Sequence, residues 1–181
     1  MPSVSDDIIT ERLTLRLLGN EVRNACLAGD LSQASHLLGA AVPEAFLEHP
    51  SSLQHDQKQL VADANYAPWS SRAIILTGEM QTIGLIRFHA APDPGALKEY
   101  MKGAVEVGYQ IFEPYRRKGY AREAVTAAFD WARHHFQVDR FIASVSPDNL
   151  PSMNLIKSLG FTKVDEVMDE VDGMEYVFSC P

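Results

Sequence analysis

Along residues 10–18, Leu13, Leu15 and Leu17 alternate with Thr14, Arg16 and Leu18, the two-residue period of a strand with one buried face. From residue 20 to about 64 the period changes. Leu27, Leu31, Leu37, Leu38, Phe46 and Leu47 fall in helical groups cut by Gly29, Gly39, Pro43 and Pro50, which predicts two or three short helices. Residues 73–77 and 82–90 are apolar and β-branched runs joined by Gly78-Glu79-Met80-Gln81, a polar connection of hairpin length, so an antiparallel pair is expected.

The cluster Pro92-Asp93-Pro94-Gly95 breaks the pattern, and a surface loop with a helical turn over residues 96–101 is expected before Gly103. Val105, Val107, Tyr109 and Ile111 then alternate with Glu106, Gly108 and Gln110, the fourth predicted strand, running over residues 105–112 until Pro114 stops the ladder. Ala121, Ala124, Val125, Ala128 and Ala132 recur at helical spacing, so a helix is expected over residues 119–135, its small residues allowing close packing on a sheet. Residues 140–145 form a fifth strand and 151–159 a short helix closed by Gly160; residues 161–167 and 174–179 form a hairpin around Asp172-Gly173.

The 181 residues are one domain's worth of chain, long enough to bury a core without crosslinks, so a single domain over residues 1–181 is expected. Sixteen Lys and Arg against twenty-four Asp and Glu give a net charge of −8; this argues against a nucleic-acid or anionic-membrane surface and mildly favours a cationic partner. Cys26 and Cys180 lie far apart without metal-ligand spacing, so neither a disulfide framework nor a metal site is expected. The first ten residues lack a basic region followed by an apolar run, and no stretch approaches the roughly 20 apolar residues of a membrane span. A soluble cytoplasmic protein is expected.

Chemistry concentrates where the fourth strand meets the long helix. A helix start exposes unpaired N–H groups and a partial positive charge, which together hold an anion. Arg116, Arg117, Lys118 and Arg122 add to that field, Gly119 lets the backbone approach a ligand oxygen, and Ala121 keeps the next turn thin. This is a site for phosphate or diphosphate, or else a solvated basic turn in a strand–helix crossover. The spacings of a P-loop and of a dinucleotide fingerprint are both absent.

Arg116-x-x-Gly119-x-Ala121 matches the [QR]-x-x-G-x-[GA] acyl-coenzyme A motif of the GNAT acetyltransferase superfamily, and Val107-Gly108-Tyr109 before it resembles that family's strand. Asn149-Leu150-Pro151-Ser152 followed by Gly160-Phe161 is similar to its downstream N-x-x-S…G-F pattern. The opening Glu11-Arg12-Leu13-Thr14-Leu15-Arg16 resembles the ribosomal-protein N-terminal acetyltransferase group. The resemblance implies an α+β fold: a mixed, mainly antiparallel sheet of about seven strands, flanked by helices and splayed between the fourth and fifth strands. It also implies acetyl-CoA as co-substrate, no metal, an amine-bearing acceptor (a protein N-terminus or a small molecule), and a monomer or homodimer. A non-catalytic acyl-CoA-binding module is the rival reading.

By the same resemblance, the coenzyme would be held by Ile111 and Phe112 through their backbone, by the loop and helix start of Arg116, Arg117, Lys118, Gly119, Tyr120, Ala121 and Arg122, and by Asn149 and Ser152. For the reaction, Glu106 is the candidate general base, with His89 and Glu99 as rivals. Many relatives carry a tyrosine seven residues after the asparagine to protonate the thiolate; Ile156 stands there, and Ser152 is the proposed substitute. Asn149 and Ser152 equally suit a helix cap. Tyr66 and Trp69 are candidate aromatic contacts for a cationic acceptor, whereas Trp131 is expected to pack in the core.

Overall fold

A computed structural model describes residues 6–48, 50–170 and 172–181; residues 1–5, the first half of the segment expected to carry no leader, lie outside the described residues. Eight strands form one sheet, β1 (Ile8–Ile9), β2 (Leu13–Leu17), β3 (Arg72–Leu76), β4 (Gln81–Phe88), β5 (Val105–Ile111), β6 (Phe141–Val145), β7 (Thr162–Asp169) and β8 (Gly173–Cys180), in the order β1-β2-β3-β4-β5-β6-β8-β7. Every neighbouring pair is antiparallel except β5 with β6. A parallel pair needs a long crossover, which α5 (Tyr120–Phe136) supplies. The sequence predicts seven of these strands. The eighth, β1, adds an edge to β2 through Ile8↔Leu15 and Ile9↔Thr14; two residues are too short to display a period.

Helices cover both faces. On one, α5 lays Ala124, Val125, Ala128 and Ala132 onto Val105, Val107 and Ile111, and α6 (Leu150–Ser158) adds Ile156 to the same core. On the other, α1 (Asn20–Leu27), α2 (Leu31–Leu38), α3 (Ala45–Glu48) and the start of α4 (Ser51–Ala62) bury Val22, Ala34, Phe46 and Leu53 against Ala73, Ile75 and Leu85. These four helices replace the two or three expected because Pro50, directly before α4, both ends one segment and opens the next. The turn expected over residues 96–101 is a single 3-10 turn, Glu99–Met101. Lys98, directly before the turn, and Tyr100 within it pin it to β7, each donating to Asp165 at 2.6 Å.

The sheet is splayed where the sequence places the opening, between the fourth and fifth predicted strands, here β5 and β6. Their ladder consists of Val105↔Phe141 and Glu106↔Ile142. Beyond it β5 stays with β4 as far as Gly84↔Ile111, while β6 continues along β8. Gly84 permits that β4–β5 approach, since a Cβ there would stand 2.1 Å from the Gln110 carbonyl oxygen. The β6-facing edge of residues 107–111 thus opens into a cleft, with Tyr109 on the α5 side of the sheet and Glu106, Gly108 and Gln110 on the opposite side.

Candidate active site

The loop after β5 is built to present backbone amides. A 3-10 turn, Glu113–Tyr115, carries Pro114, after which Arg117 (φ 63°) and Gly119 (φ 82°) both take left-handed conformations. Only glycine adopts that region without steric cost. The first backbone bond of α5 runs from Glu123 N to Gly119 O at 3.2 Å, and no side chain among the described residues caps the helix, so the amides of Tyr120, Ala121 and Arg122 point out of the helix start. Arg116 donates from Nε to the Ile111 carbonyl at 2.8 Å and fastens the loop to the strand it leaves.

Arg12 clamps the same loop from the N-terminal strands. Its Nη1 donates to the Lys118 carbonyl at 3.0 Å, its Nε to Glu123 at 2.7 Å, and its guanidinium lies 4.5 Å from the centre of the Tyr120 ring. Thr10 Oγ1 donates to Glu123 at 2.6 Å. Partial burial alone would raise the Glu123 carboxyl, but the hydrogen bonds from Thr10 and Arg12 outweigh it and hold the group below the usual range.

A cleft of about 630 Å³ runs from this loop to α6. Its walls include Tyr109, Gln110 and Ile111 of β5, Arg116, Arg117, Gly119, Tyr120, Ala121 and Arg122 of the loop and helix start, and Asn149, Pro151, Ser152 and Leu155 of α6. Asn149 caps α6, its Oδ1 accepting from Ser152 N at 3.2 Å, so the capping reading holds alongside any role in the cleft. Arg122 reaches across to Ser158 Oγ at 2.6 Å and ties α5 to α6. Lys118 and Phe112 stand outside this lining. Lys118 Nζ lies 5.7 Å from the Tyr115 ring centre, and Phe112 packs against Phe46 in the opposite core.

On the other face of β5, Glu106 keeps 20% of its side chain exposed. Burial raises its carboxyl, and the Ser144 hydroxyl and Arg87 only partly offset that. His89 Nδ1 stands 3.7 Å from Glu106 Oε1, and the His89 ring covers Gly108 so closely that a Cβ there would meet its Nε2 at 2.7 Å. About a third of the His89 side chain faces solvent, yet its protein surroundings, with Arg87 and His55 adding to the effect of burial, push the imidazole down to about 3. It is therefore neutral at pH 7 and a poor proton acceptor. Glu99, the other rival, is exposed and paired with Lys102 at 2.7 Å.

Behind His89 lies a buried network that the sequence pattern does not display. Asp56 of α4, 0% exposed, accepts from Tyr66 Oη and from Ser71 N, each at 2.9 Å. Arg23 and Arg87 face it at 3.8 and 3.9 Å. The adjacent His55 sets its Nε2 2.8 Å from the His89 carbonyl oxygen. Tyr66 and Trp69 are not acceptor contacts. They are 0% and 2% exposed, with Trp69 packed on Trp131 and Phe136 at ring separations of 5.3 and 4.5 Å. Trp131 packs as expected.

A second, more open cleft of about 640 Å³ lies between β1 and α5. Asp6, Asp7, Glu123 and Asp130 on its walls make it unsuited to a diphosphate. Among the described residues no group of three His, Cys, Asp or Glu is placed to hold a metal ion, and no helix is long and apolar enough to cross a membrane.

The sequence profile of the Acetyltransferase (GNAT) domain matches residues 12–162. The chain belongs to the GNAT acetyltransferase family. It is 29% identical over 113 residues to an uncharacterized N-acetyltransferase, p20, of Bacillus licheniformis, a match spanning 62% of this chain and 60% of that protein. It is also 43% identical over 61 residues to an N-acetyltransferase 9-like protein of Caenorhabditis briggsae, covering 33% and 31% of the two chains. Among solved structures, a putative ribosomal-protein-serine acetyltransferase from Vibrio cholerae superposes with a TM-score of 0.66 at 19% identity, over 99% of each chain. RimL, a ribosomal L7/L12 alpha-N-protein acetyltransferase in complex with coenzyme A, superposes with a TM-score of 0.66 at 14% identity over 97% of each. At these identities the two structures establish the fold.

Proposed function

We propose that the protein transfers the acetyl group of acetyl-CoA to a primary amine by direct attack in a ternary complex. One observation carries this reading: β5 presents a basic, uncapped helix start and cleft on one side and a carboxylate of raised pKa on the other, at the place where the sheet opens. Family membership and the coenzyme A bound to RimL support the choice of donor.

When bound, the thioester supplies an activated acyl carbon. The amides of residues 117–122 would hold the diphosphate, and the cleft-facing backbone of Ile111 would pair with the pantetheine arm; Phe112, expected to share that role, instead donates its N–H to the Ile83 carbonyl at 2.8 Å and accepts from Tyr115 N at 2.9 Å. Asn149 and Ser152 face the sulfur end. Glu106 takes the proton that the attacking amine loses; a carboxylate of raised pKa is a stronger base than an exposed one, and neutral His89 fixes its surroundings without competing for the proton. The names of the ribosomal-protein acetyltransferases support a protein N-terminus as acceptor, and a small-molecule amine is the alternative.

Calorimetric titration with acetyl-CoA, followed by thiol release across a panel of amines and N-terminal peptides, tests the reading. Binding with amine-dependent release supports it, and binding without release would leave an acyl-CoA-binding module. Gly119→Glu sharpens the test. Any side chain at φ 82° costs about 1–2 kcal/mol, so Gly119→Ala is the matched control. Glu adds repulsion on the order of 1–4 kcal/mol against a diphosphate a few ångströms away, and is expected to weaken acetyl-CoA at least about fivefold beyond Ala. Equal affinities would remove the diphosphate from this loop.

Arg12→Ala is expected to weaken acetyl-CoA by roughly three- to fivefold, since the partly exposed clamp on Lys118 and Glu123 contributes about 1 kcal/mol to the ordering of the loop. The Glu123 pairing stabilises the fold above the ordinary carboxylate range and is lost as pH falls through the lowered value. The Arg12→Ala protein should accordingly show a weaker acid dependence of its melting temperature.

A further inference from the structure

The transfer needs a proton for the departing sulfur, and the helix position that many relatives use for it is closed here. Ile156 is 0% exposed and belongs to the core under α6. A buried hydroxyl in the cleft is left without a task. Tyr109 lines it from β5, three residues past the last β5–β6 ladder pair, and its phenolic oxygen is buried with no hydrogen-bond partner among the described residues. A buried orphan of this kind is costly to a fold, and so points to a group that arrives with the ligand. Ser152 approaches from α6 without reaching hydrogen-bond geometry. Burial pushes the phenol up, and the Ser152 hydroxyl draws it partway back.

Building on the acetyltransferase reading, we propose that Tyr109 is the catalytic acid, delivering its phenolic proton to the coenzyme A sulfur. Strand alternation sets this up. Glu106 and Tyr109 lie on opposite faces of β5, so base and acid flank the opening where β5 and β6 part. As the amine nitrogen bonds to the acetyl carbon, the carbon–sulfur bond breaks and its electron pair leaves on sulfur. Glu106 accepts the proton from nitrogen, the sulfur takes the proton of Tyr109, and the phenolate is reprotonated from solvent through Ser152. A phenol, with an ordinary pKa near 10, is far closer to a thiol than an alcohol is, which makes Tyr109 the better donor and Ser152 its neighbour in the relay. Arg116, Arg117 and Arg122 line the same cleft and favour the anionic intermediate charge.

Tyr109→Phe removes one oxygen and tests the assignment. The variant is expected to melt at or above the wild-type temperature, because it deletes an unsatisfied polar atom. Its kcat is expected to fall about 10²-fold with acetyl-CoA affinity by calorimetry within about threefold. A readout free of any acceptor is the ionisation of the coenzyme A thiol bound to the protein, followed by thiolate ultraviolet absorbance. Loss of the phenolic donor should lower its ionisation constant about tenfold. Unchanged kcat together with unchanged thiol ionisation overturns the role of Tyr109 alone, and so does a drop of several degrees in melting temperature, which would give the hydroxyl a structural partner. Failure of the wild-type protein to bind coenzyme A overturns the acetyltransferase reading along with it.

Discussion

Glu106→Gln is expected to lower kcat with an amine acceptor by about 10³-fold while leaving acetyl-CoA affinity within about threefold, the range that loss of a general base produces. The amide keeps the volume and the approach of Ser144 but cannot accept the proton. The pH profile carries the sharper signature. Burial raises the Glu106 carboxyl, so wild-type kcat/KM should rise with pH along a limb lying above the ordinary carboxylate range, and the variant should lose that limb. Stability should move the other way. A carboxyl whose folded pKa is raised contributes stability that is fully present below its unfolded pKa and lost as pH rises through the folded value. At pH 7 the ionised group is therefore a cost, and the Gln protein should melt at the same temperature as wild type or higher. An inactive, unweakened variant separates a catalytic carboxylate from a structural one. Activity within a few-fold of wild type would remove Glu106 as the base and leave the proton to solvent.

The parts of this site that the sequence displays are those in which local chemistry and geometry coincide. The alternation at Val105, Val107, Tyr109 and Ile111 places β5, and Arg116-x-x-Gly119-x-Ala121 places the loop, because a left-handed glycine and an open helix start are requirements of the local backbone. What depends on long-range packing is hidden. Lys118 and Phe112 are read from the sequence as coenzyme contacts but stand outside the cleft lining, while Tyr109, Pro151 and Leu155 line it although the sequence gives them no ligand role. Tyr66 and Trp69 mislead because a Pro68-containing 3-10 turn has no periodicity to reveal a buried side. Arg12 is visible as part of the Glu11–Arg16 resemblance, but its hold on Lys118 spans 106 residues and needs the fold.

The deepest omission, Asp56, carries the second large prediction: Asp56→Ala should destabilise the protein by about 3–5 kcal/mol, the cost of removing one partner from a buried ion pair. For a chain of this length that corresponds to a fall of roughly 10 °C in melting temperature. The carboxylate lies among a polar run, Gln54-His55-Asp56-Gln57, that reads as a solvated helix face, yet it is 0% exposed and faces two arginines, a phenol and a backbone amide. Without it, Arg23 and Arg87 are left as buried positive charges, Arg23 at 2% exposure. Adding Arg23→Met should therefore recover part of the loss, a coupling that a double-mutant cycle measures directly. A loss below about 1 kcal/mol would mean that water reaches this network. The effect should extend to catalysis, because Arg87 pairs across the ladder with Gly108, beneath the His89 ring, and partly offsets the burial of Glu106. A buried carboxylate on α4 thus sets the end of β4, the end of β4 sets His89 and Arg87, and those two set the field at the carboxylate proposed to act on the amine.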